Sequence, residues 1–252
     1  MTDIPESHPR YRSLMTREML VRGVKDGIAS MQGLIAQGRG EAFDYLLGEK
    51  TTESAMRAEK AAVALMMLAK RPVISVNGNA AALSAAELCE LSRELNAPLE
   101  VNLFHRTEDR VARIVSLLRS KGCQIVYGDR PDRLIPGISH ERARATSAGI
   151  YGADVVLVPL EDGDRCEALV KMGKKAIAID LNPLSRTARA ATITIVDNIV
   201  RAVPNMVALA KEMKGMPPSE LGAIAEKFNN DMALAQALDE MMKNVMKARR
   251  NV

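Results

Sequence analysis

Six short apolar runs recur along this chain, at residues 72–76, 99–103, 124–127, 154–158, 176–180 and 192–196. Most are β-branched and apolar on both faces, the pattern of parallel strands covered by helices on each side. The spacers at 80–95, 107–120, 163–172 and 198–213 carry helical periodicity. Strands alternating with helices predict an α/β fold: an open, doubly wound, mainly parallel sheet with right-handed crossovers. Periodicity does not set the strand order.

Helix is also expected before the first strand. Leu14, Val21, Val24, Ile28, Met31 and Ile35 recur about every 3.5 residues, as on one seam of a first helix. Arg17 falls on that seam, and Gly38-Arg39-Gly40 reads as a joint between two helical stretches. After residue 213 the segment GMPPSE breaks the chain and leads to helices at 219–228 and 231–248. The second carries Leu234, Leu238, Met241 and Val245 on one face. Residues 1–213 therefore form the expected body. Residues 214–252 form a helical appendage that packs on it or on a partner subunit.

Hydrophobic residues make up 47% of the chain, enough for a folded core. The longest apolar run, 61–69, is too short to cross a bilayer, and the opening MTDIPESHPR has no apolar signal core. A soluble cytoplasmic protein is expected, with no membrane partner. The three cysteines are widely spaced without a CxxC pair, so all three are expected as buried free thiols. Net charge is +4, aromatics are 3% and Trp is absent, which counts against a nucleic-acid surface. The arginines are instead spread over several loops, as suits a multiply charged small molecule. Neither GxxxxGK[ST] nor a GxGxxG after the first strand is present. His8, His105 and His140 lack metal-ligand spacing, and no metal-binding residue is assigned.

Ligands of doubly wound sheets bind at the carboxyl ends of the strands, and here those ends are polar. The first strand ends in Asn77-Gly78-Asn79, either a structural βα turn or a ligand contact. The second ends in HRTEDR, where Thr107 can cap a helix and His105 with Arg106 can meet a phosphate at its N-terminus. The loop EDGD, 161–164, can cap the next helix or touch Mg²⁺. The fifth strand runs into DLNPLSRT, with Asp180, Leu181, Asn182, Arg186 and Thr187, and the sixth into Asp197-Asn198. A guanidinium on an apolar seam must snorkel, pair with an acid such as Glu41, or meet an anionic ligand; Arg17 has those three options.

Several runs are distinctive together: IPESHPRYRSL, GRGEAFDYLLGEKT, PVISVNGNAAAL, EVNLFHRTEDR, ADVVLVPLEDGDRCEAL and IDLNPLSRTARAATITIVDNIVRAVPNM. In this order they closely resemble the archaeal phosphopantothenate synthetases, or 4-phosphopantoate–β-alanine ligases, from residue 4 to about residue 213. The resemblance implies a Rossmann-like core, a homodimer and a step of coenzyme A biosynthesis. In that step ATP and Mg²⁺ serve to join 4-phosphopantoate to β-alanine, releasing AMP and diphosphate. The family pattern for ATP contacts falls on Arg17, Arg39, Asp180, Leu181, Asn182, Arg186, Thr187, Asn198 and Ile199. It often carries His before GRGE, where this chain has Gln37.

An acyl-adenylate route follows from this chemistry, because a carboxylate must be activated before an amine can displace its oxygen. Arg17, Arg39 and Arg186 are then expected on the phosphates. Loop chemistry alone assigns Asn77, Asn79, His105, Arg106 and Thr107 to phosphopantoate. His105 and Arg186 are the candidate catalytic residues, and His105 or His140 can accept the amine proton. The competing readings are a non-catalytic nucleotide-binding regulator and a basic RNA-binding module. The dimer is expected through the seam of the first helix or the 234–245 face, and simple intramolecular packing is the alternative for each.

Overall fold

The computed structural model describes residues 4–250. Three helices come first: α1 (Tyr11–Lys25), α2 (Met31–Leu47) and α3 (Glu53–Leu68). The sheet then begins with β1 (Pro72–Val76), α4 (Gly78–Leu95), β2 (Leu99–Val101), α5 (Glu108–Ser120) and β3 (Val126–Tyr127). A small hairpin follows, β4 (Arg133–Leu134) and β5 (Arg144–Ala145), with a turn of 3₁₀ helix before β5. The second half adds β6 (Val155–Pro159), α6 (Gly163–Lys171), β7 (Lys175–Ile179), α7 (Arg186–Ala190), β8 (Ile193–Ile195) and α8 (Ile199–Glu212). Two helices close the chain, α9 (Pro218–Glu226) and α10 (Asn230–Arg249).

The six expected strands form one parallel sheet in the order β3-β2-β1-β6-β7-β8. Ile74 pairs with Leu99 on one side and Leu157 on the other, so β1 sits at the centre. Strand period divides the side chains between two cores. Ile74, Val76, Leu99, Leu157, Ile177 and Ile193 pack under α4, α5 and α8, while Val73, Val156, Val158, Ala176 and Ala178 face α6 and Ile150. The expected Rossmann-like fold is present. Helix α5 buries Val111, Ile114, Val115 and Leu118, an i, i+3, i+4, i+7 stripe. Polar caps begin the helices: Asn77, Thr107, Ser185 and Asn198 each accept a backbone N–H of the first turn.

Several details differ from the sequence reading. The expected first helix is two, separated at 26–30, where Gly27 takes φ +70°. Gly38-Arg39-Gly40 lies inside α2 and is not a joint; space beside Gly38 is open, so packing imposes no turn there. The β4–β5 hairpin had no apolar run to announce it. Cys89 and Cys123 are not free thiols: they form a disulfide across 34 residues, their Cα atoms 5.0 Å apart. The fold creates that pairing by packing α4 beside α5. Cys166 is the free cysteine, and burial pushes its thiol up to about 12. Leu234 and Met241 of α10 face inward onto Leu47, Leu181, Ala188 and Val196, whereas Val245 is exposed. No helix among the described residues is long and apolar enough to cross a membrane.

Candidate active site

Strand order reverses between β1 and β6, and open α/β sheets take ligands in the crevice at such a point. Asn77 spans the crevice. Its Oδ1 accepts from the Ala80 N–H at 3.0 Å, capping α4, and its Nδ2 donates to the carbonyls of Pro159 and Leu160 at 2.9 Å. One amide thereby fixes the mouth of the cleft, and two joined pockets open from it.

The larger pocket has a volume of about 390 Å³. Its walls are the β6–α6 loop, the β7–α7 loop, the start of α8 and one face of α2. Arg39, Asp180, Leu181, Asn182, Arg186, Thr187, Asn198 and Ile199 all line it. The β7–α7 loop is rigidly wired. Asp180 accepts from the Asn182 N–H at 2.9 Å and from the Ser185 hydroxyl, and Asn182 accepts from the Leu184 N–H at 2.9 Å. Burial raises the Asp180 carboxyl above the usual range against those bonds. Thr187 donates to the Glu161 carbonyl at 2.9 Å, closing this loop onto the next. A Cβ at Gly163 would stand 2.5 Å from the Arg186 Cβ, so this close approach requires glycine. Arg186 itself is exposed and pairs with Glu167 at 3.0 Å.

Asn198 caps α8 and donates to Asp44 of α2 at 2.9 Å. Arg201, one turn on, binds Asp44 at 2.6 Å and Asp197 at 2.5 Å. This clamp holds α2, and with it Arg39, over the start of α8. From beneath, Asn230 of α10 accepts from the Thr194 N–H and donates to the Ala188 carbonyl, buttressing the same loop.

The smaller pocket, about 270 Å³, contains Asn77, Asn79 and His105. It meets the larger one at Asn79, Leu160 and Asp162. Asn79 donates to the Gly33 carbonyl at 2.8 Å, which ties α2 to α4. Beneath the junction lie Arg142 and Arg165, which share the carboxylate of Glu161. Arg142 also binds Asp162 at 2.9 Å.

Three expected contacts lie outside both linings. Arg106 turns to the far side of its loop, where it binds the Gly128 carbonyl at 2.9 Å and Glu108 at 3.2 Å. Thr107 is the cap of α5. Arg17 sits behind α2, its guanidinium on both oxygens of Glu41 at 2.6–3.0 Å; the ion pair allowed by its seam position is the arrangement found. Asp162 holds the cap position of α6 without a side-chain capping bond, because Arg142 engages its carboxylate. Sequence reasoning missed the Arg142–Glu161–Arg165 network, since Arg142 lies in an irregular segment with no periodic signal. Among the described residues, no cluster of three or more His, Cys, Asp or Glu side chains could hold a metal.

A family model described as Phosphopantothenate/pantothenate synthetase matches residues 54–244, most of the chain and most of these walls. This chain belongs to that family. Among its relatives, a Methanosarcina mazei protein is 55% identical over 97% of the chain and 96% of its own length. A Thermococcus onnurineus protein is 57% identical over 94% of the chain and 92% of its length. A Methanospirillum hungatei protein is 57% identical over 96% and 98%. Each is named a 4-phosphopantoate–beta-alanine ligase.

Proposed function

We propose that this chain condenses 4-phosphopantoate with β-alanine to 4′-phosphopantothenate in coenzyme A biosynthesis, converting ATP to AMP and diphosphate. The supporting observation is the pair of joined pockets. A nucleotide-sized cleft opens directly into a smaller pocket that carries Asn77, Asn79, His105 and Arg110, in a chain 55–57% identical to curated ligases over nearly its whole length. A regulator without turnover needs the larger cleft only.

ATP takes the larger cleft in this reading. Asp180 accepts from the ribose hydroxyls, Asn182 reads a base or sugar edge, and Arg39 with Arg186 meets phosphate oxygens. The starts of α6 and α8 add positive dipole ends. Phosphopantoate takes the smaller pocket, its carboxylate at the junction beside Asn79. A carboxylate oxygen attacks the α-phosphorus, the bond from the α-phosphorus to the bridging oxygen breaks, and diphosphate leaves. The β-alanine amine then attacks the acyl carbon and loses a proton, and AMP departs with the acyl–oxygen electron pair. His105, exposed at the pocket rim, is the candidate to take that proton. Orienting the reactants across the junction is the main contribution of the chain.

Mg²⁺ fits this site as an ion carried on the phosphates. Glu161 is occupied by two arginines and one oxygen of Asp162 by Arg142, so Asp162, its side chain 44% exposed, would meet the ion through its remaining oxygen. When bound, Mg²⁺ supplies charge neutralisation to the phosphate oxygens.

A homodimer in the cytoplasm completes the reading. Helix α2 separates Arg17 from the cleft of its own chain, so a contact of Arg17 with ATP needs a second copy. Met31 and Ile35 expose apolar surface on α2. Mixing Arg17→Ala and Arg186→Ala chains restores activity if Arg17 serves the neighbouring cleft; no restoration rejects the shared site.

The direct test combines the chain with ATP, Mg²⁺, 4-phosphopantoate and β-alanine. AMP formation that depends on both acids supports the assignment. Formation of ADP, or no nucleotide turnover, contradicts it.

A further inference from the structure

Arg110 is a half-buried guanidinium that lines the smaller pocket and has no carboxylate partner among the described residues. Its Nε donates to the Ile28 carbonyl and its Nη1 to the His105 carbonyl, each at 3.0 Å. Nearby acids are already engaged: Glu108 by Arg106, Asp109 by Arg113 and Asp162 by Arg142. Burial lowers its affinity for a proton, and no acid offsets that effect.

The guanidinium is also pressed against the first residue of α4. A Cβ at Gly78 would stand 2.5 Å from Arg110 Nη2 and 2.5 Å from the Ile28 carbonyl oxygen. Only glycine admits this approach. A cation beside the positive end of a helix is unfavourable unless an anion lies between them. Arg110 and the start of α4 therefore make one wall suited to a small dianion. The two backbone bonds hold the guanidinium in place before any ligand arrives, which lowers the ordering cost of binding.

Resting on the ligase reading, we propose that Arg110 receives the phosphate of 4-phosphopantoate and is the residue that separates this substrate from unphosphorylated pantoate. This sets the direction of the substrate. The phosphate lies at Arg110 and the carboxylate points to the junction at Asn79 and Asp162. Leu103, Phe104 and Leu160 offer apolar surface between them to the dimethyl carbon. Arg106 lies before the cap of α5 and belongs to a different contact.

The experiment is a calorimetric titration of 4-phosphopantoate and of pantoate, with a non-hydrolysable ATP analogue present, into wild type, Arg110→Gln and Arg110→Lys. Turnover is followed separately. Removing the guanidinium weakens 4-phosphopantoate binding roughly 10–100-fold, the scale of a charge-assisted hydrogen bond, and leaves pantoate binding unchanged. Arg110→Lys loses the fork and falls between. Inorganic phosphate competes with 4-phosphopantoate in wild type. A folded variant with unchanged preference overturns the proposal. If both variants fail to fold, phosphate that does not compete in wild type overturns it, and competition displaced by 4-phosphopantoate but not pantoate supports it. A wild type that binds 4-phosphopantoate through Arg110 but forms no AMP rejects the ligase reading alone. One that forms AMP while Arg110→Gln keeps its preference rejects the Arg110 assignment alone.

Discussion

Asn77 and Leu160 meet across the reversal of the sheet, the Asn77 amide donating to the Leu160 carbonyl at 2.9 Å. The same side chain caps α4 with its oxygen, so the mouth of the cleft and the start of a core helix depend on one residue. Asn77→Ala removes the cap and leaves two carbonyls without their donor. The expected loss is about 1–3 kcal/mol of stability. Denaturant unfolding measures it, and KM for both ATP and 4-phosphopantoate should rise together as the two pockets shift.

Arg186 offers the opposite combination. Its side chain is exposed, and its one ion pair, with Glu167, contributes little in water. Arg186→Ala is expected to leave the unfolding midpoint within about 0.5 kcal/mol of wild type. Its kcat/KM for ATP should fall roughly 10-fold or more, as for loss of a charge-assisted contact. Steady-state kinetics with unchanged ATP dependence would remove this loop from the nucleotide site.

Glu59 gives a pH signature. It is buried on α3, its Oε2 has no hydrogen-bond partner, and burial with neighbouring Asp197 raises its carboxyl from 4.5 to about 8. The folded chain thus keeps a proton between those values that the unfolded chain releases. Stability contributed by the neutral acid is complete below pH 4.5 and is lost as pH rises through about 8. Glu59→Gln should flatten the fall of Tm over this range and melt above wild type at alkaline pH. The gain is roughly 2–4 °C for each kcal/mol recovered. Glu100, raised to about 7 by burial, adds a similar slope that the variant retains. Parallel Tm profiles for variant and wild type would contradict this role of Glu59.

The Cys89–Cys123 bridge closes a 34-residue span. Loop-entropy arguments give about 3–4 kcal/mol for a span of that size. Reduction should lower Tm accordingly, and the double variant Cys89→Ala, Cys123→Ala should match reduced wild type and ignore reductant. A thiol count without reductant should find one cysteine, Cys166, and only after denaturation.

Much of this fold was legible because parallel strands buried on both faces leave unmistakable apolar runs. The polar ends of those runs located the cleft for the same reason: a strand that leaves the core must hand its backbone to caps and ligands. Strand order was not legible, since any order of these runs satisfies the same periodicity. The choice of arginine in HRTEDR was not legible either. It depends on the turn at which α5 begins, and that turn directs Arg106 outward to Gly128 and Arg110 inward to the pocket. The disulfide and the Arg142–Glu161–Arg165 network join residues distant in sequence, so no local pattern carries them. Arg17 was legible as a choice among snorkelling, an acid such as Glu41 and an anionic ligand, and only the packing of α1 on α2 selected Glu41.

In the proposed reaction a carboxylate in the smaller pocket attacks the α-phosphorus of a nucleotide in the larger one. The most direct measurement uses 4-phosphopantoate labelled with ¹⁸O in both carboxylate oxygens, with ATP, Mg²⁺ and β-alanine, followed by mass spectrometry of the nucleotide product. One ¹⁸O atom is expected in the phosphate of AMP. Label in inorganic phosphate alongside ADP, or AMP without label, would contradict it.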